Sequence, residues 1–410
     1  MTLKRATVYG NGYARNAERN FTPSTTSANT AICPIVGILQ RKRGWKKRSV
    51  SIIRSISALY ALLLLFQNAP TPNIAVMPAD KRRIGKRNES TPRKDGEKVE
   101  EKIMKEFKEK LIVGIDHGYG NIKTANHCFK TGIMGYDAEP LFTKNMLEYG
   151  GRYYLIGEGH KEFLPDKIKD EDYYLLTLVA IAEELKDKGL TEADVIIAAG
   201  LPLTWTSGQK SEFAAYLSKN EEVSFTYQHT AYHVRISGVK IYPQGYAAVA
   251  EFVTTMKGLS VAADIGNGTM NTLFLTNGRP MSSKMYTEKF GTYQCTLAIR
   301  EEFMQKTRRE INDVINDEVL QNGSADIPAA DLKIIKTTAT EYVKDIFRRL
   351  REHGYDEGTM TLYITGGGGC LVKNFYKCNP DRVKFVDDIC AAAKGYEYMA
   401  ELQLKADERQ

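Results

Sequence analysis

A short acidic segment with two glycines occurs twice in this chain, 148 residues apart. The first copy reads Asp116-His117-Gly118-Tyr119-Gly120-Asn121-Ile122-Lys123-Thr124. The second reads Asp264-Ile265-Gly266-Asn267-Gly268-Thr269-Met270-Asn271-Thr272. Asp116, Gly118, Gly120 and Thr124 fall on Asp264, Gly266, Gly268 and Thr272 at one constant offset. Each copy follows a short apolar run, Leu111 to Ile115 and Val261 to Ala263, as expected of a buried strand. The glycines end the strand and let the backbone turn tightly. After the first turn, Ile122 to Phe129 is expected to run back as a second strand. Self-similarity of this kind predicts two related halves.

The chemistry follows from those residue types. A turn with two glycines aims backbone N–H groups into a concavity suited to phosphate oxygens. An Asp at the end of each preceding strand can hold a hydrated Mg²⁺ between the halves. Two such turns facing each other would clamp a nucleotide tail from both sides. Lys123 can reach back as a point charge onto a phosphate. Far downstream, an expected strand from Thr361 to Thr365 runs into Gly366-Gly367-Gly368-Gly369 and then a helical Leu371 to Phe375. Backbone without Cβ atoms can pass close to a base or ribose there. One such turn alone is an ordinary hairpin; the pair, with the glycine run, points to a nucleotide. The chain has no phosphate loop ending in Gly-Lys-Ser/Thr and no Gly-x-Gly-x-x-Gly fingerprint, which argues against a P-loop or dinucleotide site.

Charge divides the chain. Residues 1–104 hold 20 Lys and Arg against 7 Asp and Glu, whereas residues 105–410 hold 37 against 43. The net charge of +7 therefore describes the first segment and not the rest, so it does not support direct nucleic-acid binding by the globular part. Segment 1–104 mixes Ser/Thr/Asn-rich stretches with basic clusters such as Arg41-Lys42-Arg43 and Lys81-Arg82-Arg83. It is expected to be a basic leader, disordered or an upstream extension of the gene start. Its one apolar run, Ile56 to Phe66, has 11 residues. A membrane span needs about 20, so no membrane association is expected.

Six cysteines show no CxxC spacing, which fits a reducing cytosol better than a disulfide framework or a zinc site. Tyr173 to Leu185 reads as a mostly buried helix stopped at Lys188-Gly189. Asp331 to Glu352 reads as an amphipathic helix with a basic, solvated side. His117, inside the first turn, is expected to be structural.

Residues from about 110 to 402 resemble the actin-like ATPases of bacterial plasmid segregation, the ParM/StbA family, within the actin, heat-shock-chaperone and sugar-kinase superfamily. The resemblance rests on five motifs in order: Val113 to Thr124, Val239 to Val249, Ala263 to Thr272, Tyr363 to Gly369, and Asp388 to Tyr396. Val195 to Leu203 and Leu147 to Gly157 resemble the same family. The resemblance implies a bilobal α/β actin-like fold of two ribonuclease H-like halves, with lobe I over 105–245, lobe II over 246–410 and the nucleotide in the cleft. It implies ATP, with GTP open, and Mg²⁺ organised through water by Asp116 and Asp264. Gly118, Tyr119, Gly120 and Asn121, with Gly266, Asn267, Gly268 and Thr269, would cradle the phosphates. Lys123 would neutralise charge, Gly366, Gly367, Gly368 and Gly369 would line the adenosine side, and Gln244 would orient the attacking water beside Asp264.

Departures from the family pattern carry expectations of their own. Tyr119 stands where Ser or Thr is common, and Gln244 where several members have Glu. Gln positions water but is no base, so slow hydrolysis before assembly is expected. The implied function is a cytoplasmic, nucleotide-dependent filament that segregates plasmid or mobile-element DNA through a DNA-bound adaptor of ParR type, touching DNA only indirectly. A small-molecule kinase of the same superfamily and a poorly hydrolysing nucleotide-binding scaffold are the alternatives.

Overall fold

A computed structural model of the protein describes residues 105–141, 144–158 and 171–409. The described residues all belong to one compact unit. The expected basic leader, with its apolar run, lies outside them.

Two sheets are built on one plan. The first contains β1 (Lys105–Phe107), β2 (Lys110–His117), β3 (Asn121–Lys123), β4 (Cys128–Lys130), β5 (Ile133–Tyr136), β6 (Met146–Tyr149), β7 (Arg152–Ile156), β8 (Glu192–Leu201), β9 (Glu222–Tyr227) and β10 (Thr230–Pro243). Their order is β4-β3-β2-β8-β10-β9-β6-β7-β5, with β1 beside β2. Helices α1 (Asp172–Asp187) and α2 (Thr206–Leu217) precede and follow β8. The second sheet contains β11 (Leu259–Ile265), β12 (Met270–Thr276), β13 (Arg279–Glu288), β14 (Thr361–Thr365) and β15 (Val383–Phe385), in the order β13-β12-β11-β14-β15. Between and after these strands come α3 (Thr292–Thr307), α4 (Asp313–Asn322), α5 (Ala329–Glu352), α6 (Gly368–Phe375) and α7 (Ala391–Asp407).

In each sheet the Asp-bearing strand, β2 or β11, pairs antiparallel with the strand after its turn, which pairs antiparallel with the next. On its other side it pairs parallel with a later strand, which in turn pairs parallel with another. The sequence repeat is thus a repeat of topology.

Strand alternation decides which side chains meet. Leu111, Val113 and Ile115 of β2 pack with α1 in one core, and Val261, Ala263 and Ile265 of β11 pack with α3, α5 and α6 in another. The opposite parity, Ile112 and Ala262, enters a third core shared by both sheets. That middle core is filled by Tyr246 to Met256 and by Tyr396, Met399 and Ala400 of α7. Asp116 and Asp264 have the parity of Ile112 and Ala262, so both emerge at the end of the shared layer.

One expectation changes here. Ile122 to Phe129 is not one strand: β3 ends at Lys123 and β4 begins at Cys128. Thr124 and His127 bond across the break, with Thr124 N–H on the His127 carbonyl at 2.9 Å and His127 N–H on Thr124 Oγ1 at 2.9 Å. The fully buried Glu184 of α1 draws the chain inward by accepting from Asn126 N at 2.9 Å and Nδ2 at 2.8 Å. The helices read at Tyr173 to Leu185 and Asp331 to Glu352 are α1 and α5. None of the described helices is long and apolar enough to cross a membrane.

Helix α7 follows the second sheet in sequence but lies on β2 and β8 of the first. Glycine makes this approach possible. A Cβ on Gly114 would stand 2.1 Å from the Ala393 carbonyl oxygen, and one on Gly395 2.0 Å from that of Ala247. In the same seam Glu397, 2% exposed, accepts the Gly114 N–H at 3.0 Å. That N–H lies between the stretches of β2 that pair with β1 and with β3, so no strand takes it. Burial pushes the Glu397 carboxyl up to about 8 despite the Gly114 bond; Glu184 adds to the rise, while Lys105 and Lys394 oppose it.

Two outcomes follow. Gly395→Ala should cost at least about 3 kcal/mol in denaturant unfolding, although Ala gains about 1 kcal/mol of helix propensity. Because Glu397 binds its proton more tightly folded than unfolded, its contribution is intact below the ordinary value of 4.5 and lost as pH rises through about 8. Glu397→Gln should therefore melt close to wild type near pH 5 and above it near pH 9, by up to roughly 4 kcal/mol. An equal difference at both pH values would refute the assignment.

Candidate functional site

The site is built where β2 and β11 end. Asp116 is the penultimate residue of β2 and 9% exposed; Asp264 is the penultimate residue of β11 and half-buried. Lys123 sits opposite Asp116 in the β2–β3 register, with Nζ 3.6 Å from Asp116 Oδ2. Asn271 sits opposite Asp264 in the β11–β12 register, its Nδ2 donating to Asp264 Oδ2 at 3.5 Å. The turn between the lobes joins both sides. Gln244 Nε2 donates to Asp116 Oδ1 at 3.2 Å, and a Cβ on Gly245 would lie 3.6 Å from Asp264 Cβ.

The electrostatics follow from crowding like charges in a poorly solvated crease. Burial, joined by the Asp116 carboxylate, pushes the Asp264 carboxyl up to about 6, while Lys123 and Asn271 pull the other way. Burial alone would lower Lys123, but Asp116 and Asp264 together hold it above its usual range. The crease thus carries two carboxylates against one ammonium.

The two turns face each other. A Cβ on Gly120 would stand 3.0 Å from Asn267 Cγ, so the first turn lies against the Asn267 side chain. In the first turn, Thr131 fixes two carbonyls, donating from Oγ1 to Gly118 at 2.9 Å and from its N–H to Gly120 at 3.1 Å. In the second, the N-terminus of α3 does so: Thr292 N–H binds the Gly266 carbonyl at 3.0 Å and Tyr293 N–H that of Asn267 at 2.9 Å. Since a trans peptide sets C=O and N–H on opposite edges, the N–H groups of Asn267 and Gly268 are directed away from α3. Gly266 N–H closes the turn onto the Thr269 carbonyl at 2.9 Å; Gly268 and Thr269 are buried. Asn121 is exposed at the start of β3, and Tyr119 is buried at 7% exposure.

The glycine run begins a third wall. Gly366 has φ +81°, and a Cβ there would stand 2.8 Å from Asp264 Oδ1 and 2.6 Å from the Ile265 carbonyl oxygen. Gly368 is pressed on the Ile265 side chain, whereas Gly367 faces open space and Gly369 has only Phe385 near it, at 4.0 Å. Two of the four glycines are therefore required by packing on the second turn, and Gly367 and Gly369 leave backbone free.

Other residues come into place only in three dimensions. His117 has the parity of the first core and is fully buried, with Nε2 2.8 Å from Thr177 Oγ1 and its ring edge-on to Tyr173 and Phe213. Thr287 Oγ1 donates to Asn271 Oδ1 at 2.9 Å and accepts from the Thr204 N–H of the first lobe at 3.4 Å. Tyr396 is fully buried beside Gln244, Asp116 and Asp264. Thr287 and Thr204 are absent from the sequence-derived set because nothing in their local spacing marks them, and Tyr396 entered it only as the end of the fifth motif, with no role of its own.

Comparison with known proteins agrees with this geometry. Among solved structures, the archaeal actin homologue Ta0583 superposes with a TM-score of 0.59 at 19% identity, covering 71% of this chain and 99% of that one. The chain has the actin-like ATPase fold. The actin-like protein Alp7A gives a TM-score of 0.57 at 13% identity, over 73% of this chain and 99% of that one. The Bacillus thuringiensis ParM solved with ATP gives 0.53 at 13% identity, over 73% of this chain and 100% of that one. A sequence model of the actin-like proteins N-terminal domain matches residues 114–246. A search of curated proteins finds no match.

A site that crowds like charges costs stability until a ligand compensates it. Asp264→Asn should raise the stability of the ligand-free protein at pH 7 by about 1–3 kcal/mol, read by thermal melting. A lower melting temperature would mean that the carboxylate is structural.

Proposed function

We propose that the protein is a nucleotide-driven, filament-forming ATPase, working in the cytoplasm and holding or pushing plasmid or mobile-element DNA copies through a DNA-bound adaptor. One observation carries the nucleotide reading. Two topologically equivalent turns, each headed by an aspartate, meet across a crease that already contains a lysine. The matching strand order of the two sheets supports two ribonuclease H-like halves.

Mg²⁺ fits this crease in one manner. Among the described residues no group of three or more His, Cys, Asp or Glu is placed to hold a metal ion. Mg²⁺ favours one or two carboxylates, retained waters and substrate phosphates, and Asp116 and Asp264 supply that pair. The ion would supply charge compensation for the phosphates. Lys123 would bind phosphate oxygens as a point charge, and the N–H groups of Asn267 and Gly268 would complete the cradle. Gly367 and Gly369 would leave room for the base or ribose. Gln244, its amide N–H donated to Asp116, would keep Oε1 to accept from a water and orient it. Gln244 removes no proton from that water, so slow turnover belongs to this reading, and the polymer would improve the geometry.

A nucleotide-binding scaffold that hydrolyses poorly is the second reading, favoured by the Gln244 contact with Asp116 and by the burial of Tyr119. The adaptor and DNA role rests on likeness of fold, and the acidic balance of residues 105–410 agrees with indirect DNA contact.

The test is sedimentation and light scattering of the full chain with ATP and Mg²⁺, with phosphate release followed in parallel. Pelleting that depends on nucleotide is expected. Polymer with negligible phosphate release favours the scaffold, and phosphate release without polymer, stimulated by a metabolite, favours a small-molecule kinase. Asp264→Ala should lower turnover by at least about 100-fold and leave part of the nucleotide affinity; unchanged turnover would remove Asp264 from the machinery.

A further inference from the structure

Strand β13 and the residues after it run from α5 to the second turn, and alternation splits their contacts. Tyr286, Glu288 and Phe290 face α5. The Tyr286 ring stacks on His353 with centroids 3.8 Å apart. Glu288 takes Arg349 Nη1 at 2.7 Å and His353 Nε2 at 3.0 Å. Phe290 is sandwiched, stacked on Tyr342 at 4.4 Å with the Arg349 guanidinium 4.0 Å from its centroid. Thr287 faces the other way and holds Asn271, the partner of Asp264.

The run ends at Gly291, the residue before α3. Its carbonyl accepts from the buried Tyr342 Oη at 2.7 Å. A Cβ on Gly291 would stand 2.2 Å from the Asn267 carbonyl oxygen and 2.6 Å from that of Gly266. The next two N–H groups are those that hold these same carbonyls. A displacement of Gly291 therefore displaces the second turn with it. Tyr342 is 8% exposed, and burial pushes its hydroxyl far above its ordinary range, so it remains a donor.

We infer that Tyr342, backed by the Phe290–Arg349–Glu288–His353 stack, is a positioning residue that sets the second turn through Gly291 in register for the phosphates of a nucleoside triphosphate. The inference rests on the nucleotide reading above. Tyr342 reaches no ligand itself. Its hydroxyl fixes one carbonyl, the ring stack fixes the segment, and the segment fixes the peptide planes whose N–H groups would meet phosphate oxygens. Such control falls first on the phosphates, since the carbonyls held next to Gly291 are those of Gly266 and Asn267, whereas the backbone left free for the base, at Gly367 and Gly369, follows β14.

The experiment compares wild type, Tyr342→Phe and Tyr227→Phe as full chains. Tyr342→Phe keeps the stack and removes the hydroxyl. Tyr227→Phe removes a buried hydroxyl of the same kind, bonded to Glu183 at 2.9 Å in the other lobe. Affinities for Mg-ATP and for adenosine are measured by calorimetry, and amide hydrogen exchange is followed over 264–272 without nucleotide. Tyr342→Phe should weaken ATP by about tenfold, leave adenosine within about twofold, and speed exchange in that segment; Tyr227→Phe should do none of these. Wild type that binds ATP, with a Tyr342→Phe variant of unchanged ATP-to-adenosine ratio, overturns the inference and leaves the nucleotide reading standing. Wild type that binds no nucleotide overturns both.

Discussion

Asp116 and Asp264 share one poorly solvated crease, and Lys123 is the cation beside Asp116. Placing two carboxylates together is unfavourable, as the raised Asp264 carboxyl records. The arrangement persists because strand parity leaves no choice. Any fold that buries Leu111, Val113 and Ile115 on one side of β2 must send Asp116 to the other. The same holds for Val261, Ala263 and Ile265 in relation to Asp264. When the two remaining faces pack on a common core, both carboxylates arrive at its end. Hydrophobic burial on the outer faces thus holds the charge on the inner ones, and positive charge is the natural complement of the excess.

Two of the features that join the lobes cross the shared core. One is the Gln244–Gly245 turn, with a side chain on Asp116 and a backbone against Asp264. The other is α7, which returns to the first sheet after the second is complete. Its contact there is backbone on backbone, because Gly114 and Gly395 remove the side chains that would hold the elements apart. Glu397 accepts the Gly114 N–H, between the stretches of β2 that pair with β1 and with β3. Any change in the angle between the sheets must bend the turn or slide α7 across that seam, and close packing makes such seams settle in discrete positions.

The second turn is held from behind in a way the first is not. Thr131 fixes the Gly118 and Gly120 carbonyls of the first turn, from the strand end next to it. The carbonyls of the second are tied to α3, whose start is tied through Gly291 to α5. The repeat is therefore symmetrical in its aspartates and glycines and asymmetrical in its support. Position in the second lobe is set over a longer chain of contacts, and α5 lies at its far end.

Much of this was open to reading from the residues alone. The constant offset between the two turns, the strand before each and the amphipathic period of α5 are local patterns, and local patterns survive in one dimension. What the linear chain could not show depends on partners far apart in it. Gln244 meets Asp116 across 128 residues and Gly114 meets Glu397 across 283. The place of Asn271 opposite Asp264 is set by the β11–β12 register, where an Asp would add a third carboxylate to the crease. The break between β3 and β4 was hidden because the Thr124–His127 turn is anchored by Asn126 on Glu184 of α1, 58 residues away in the chain. Sequence periodicity specifies which face each side chain takes. Only the folding of two sheets onto one core decides that the two acidic faces are the same place.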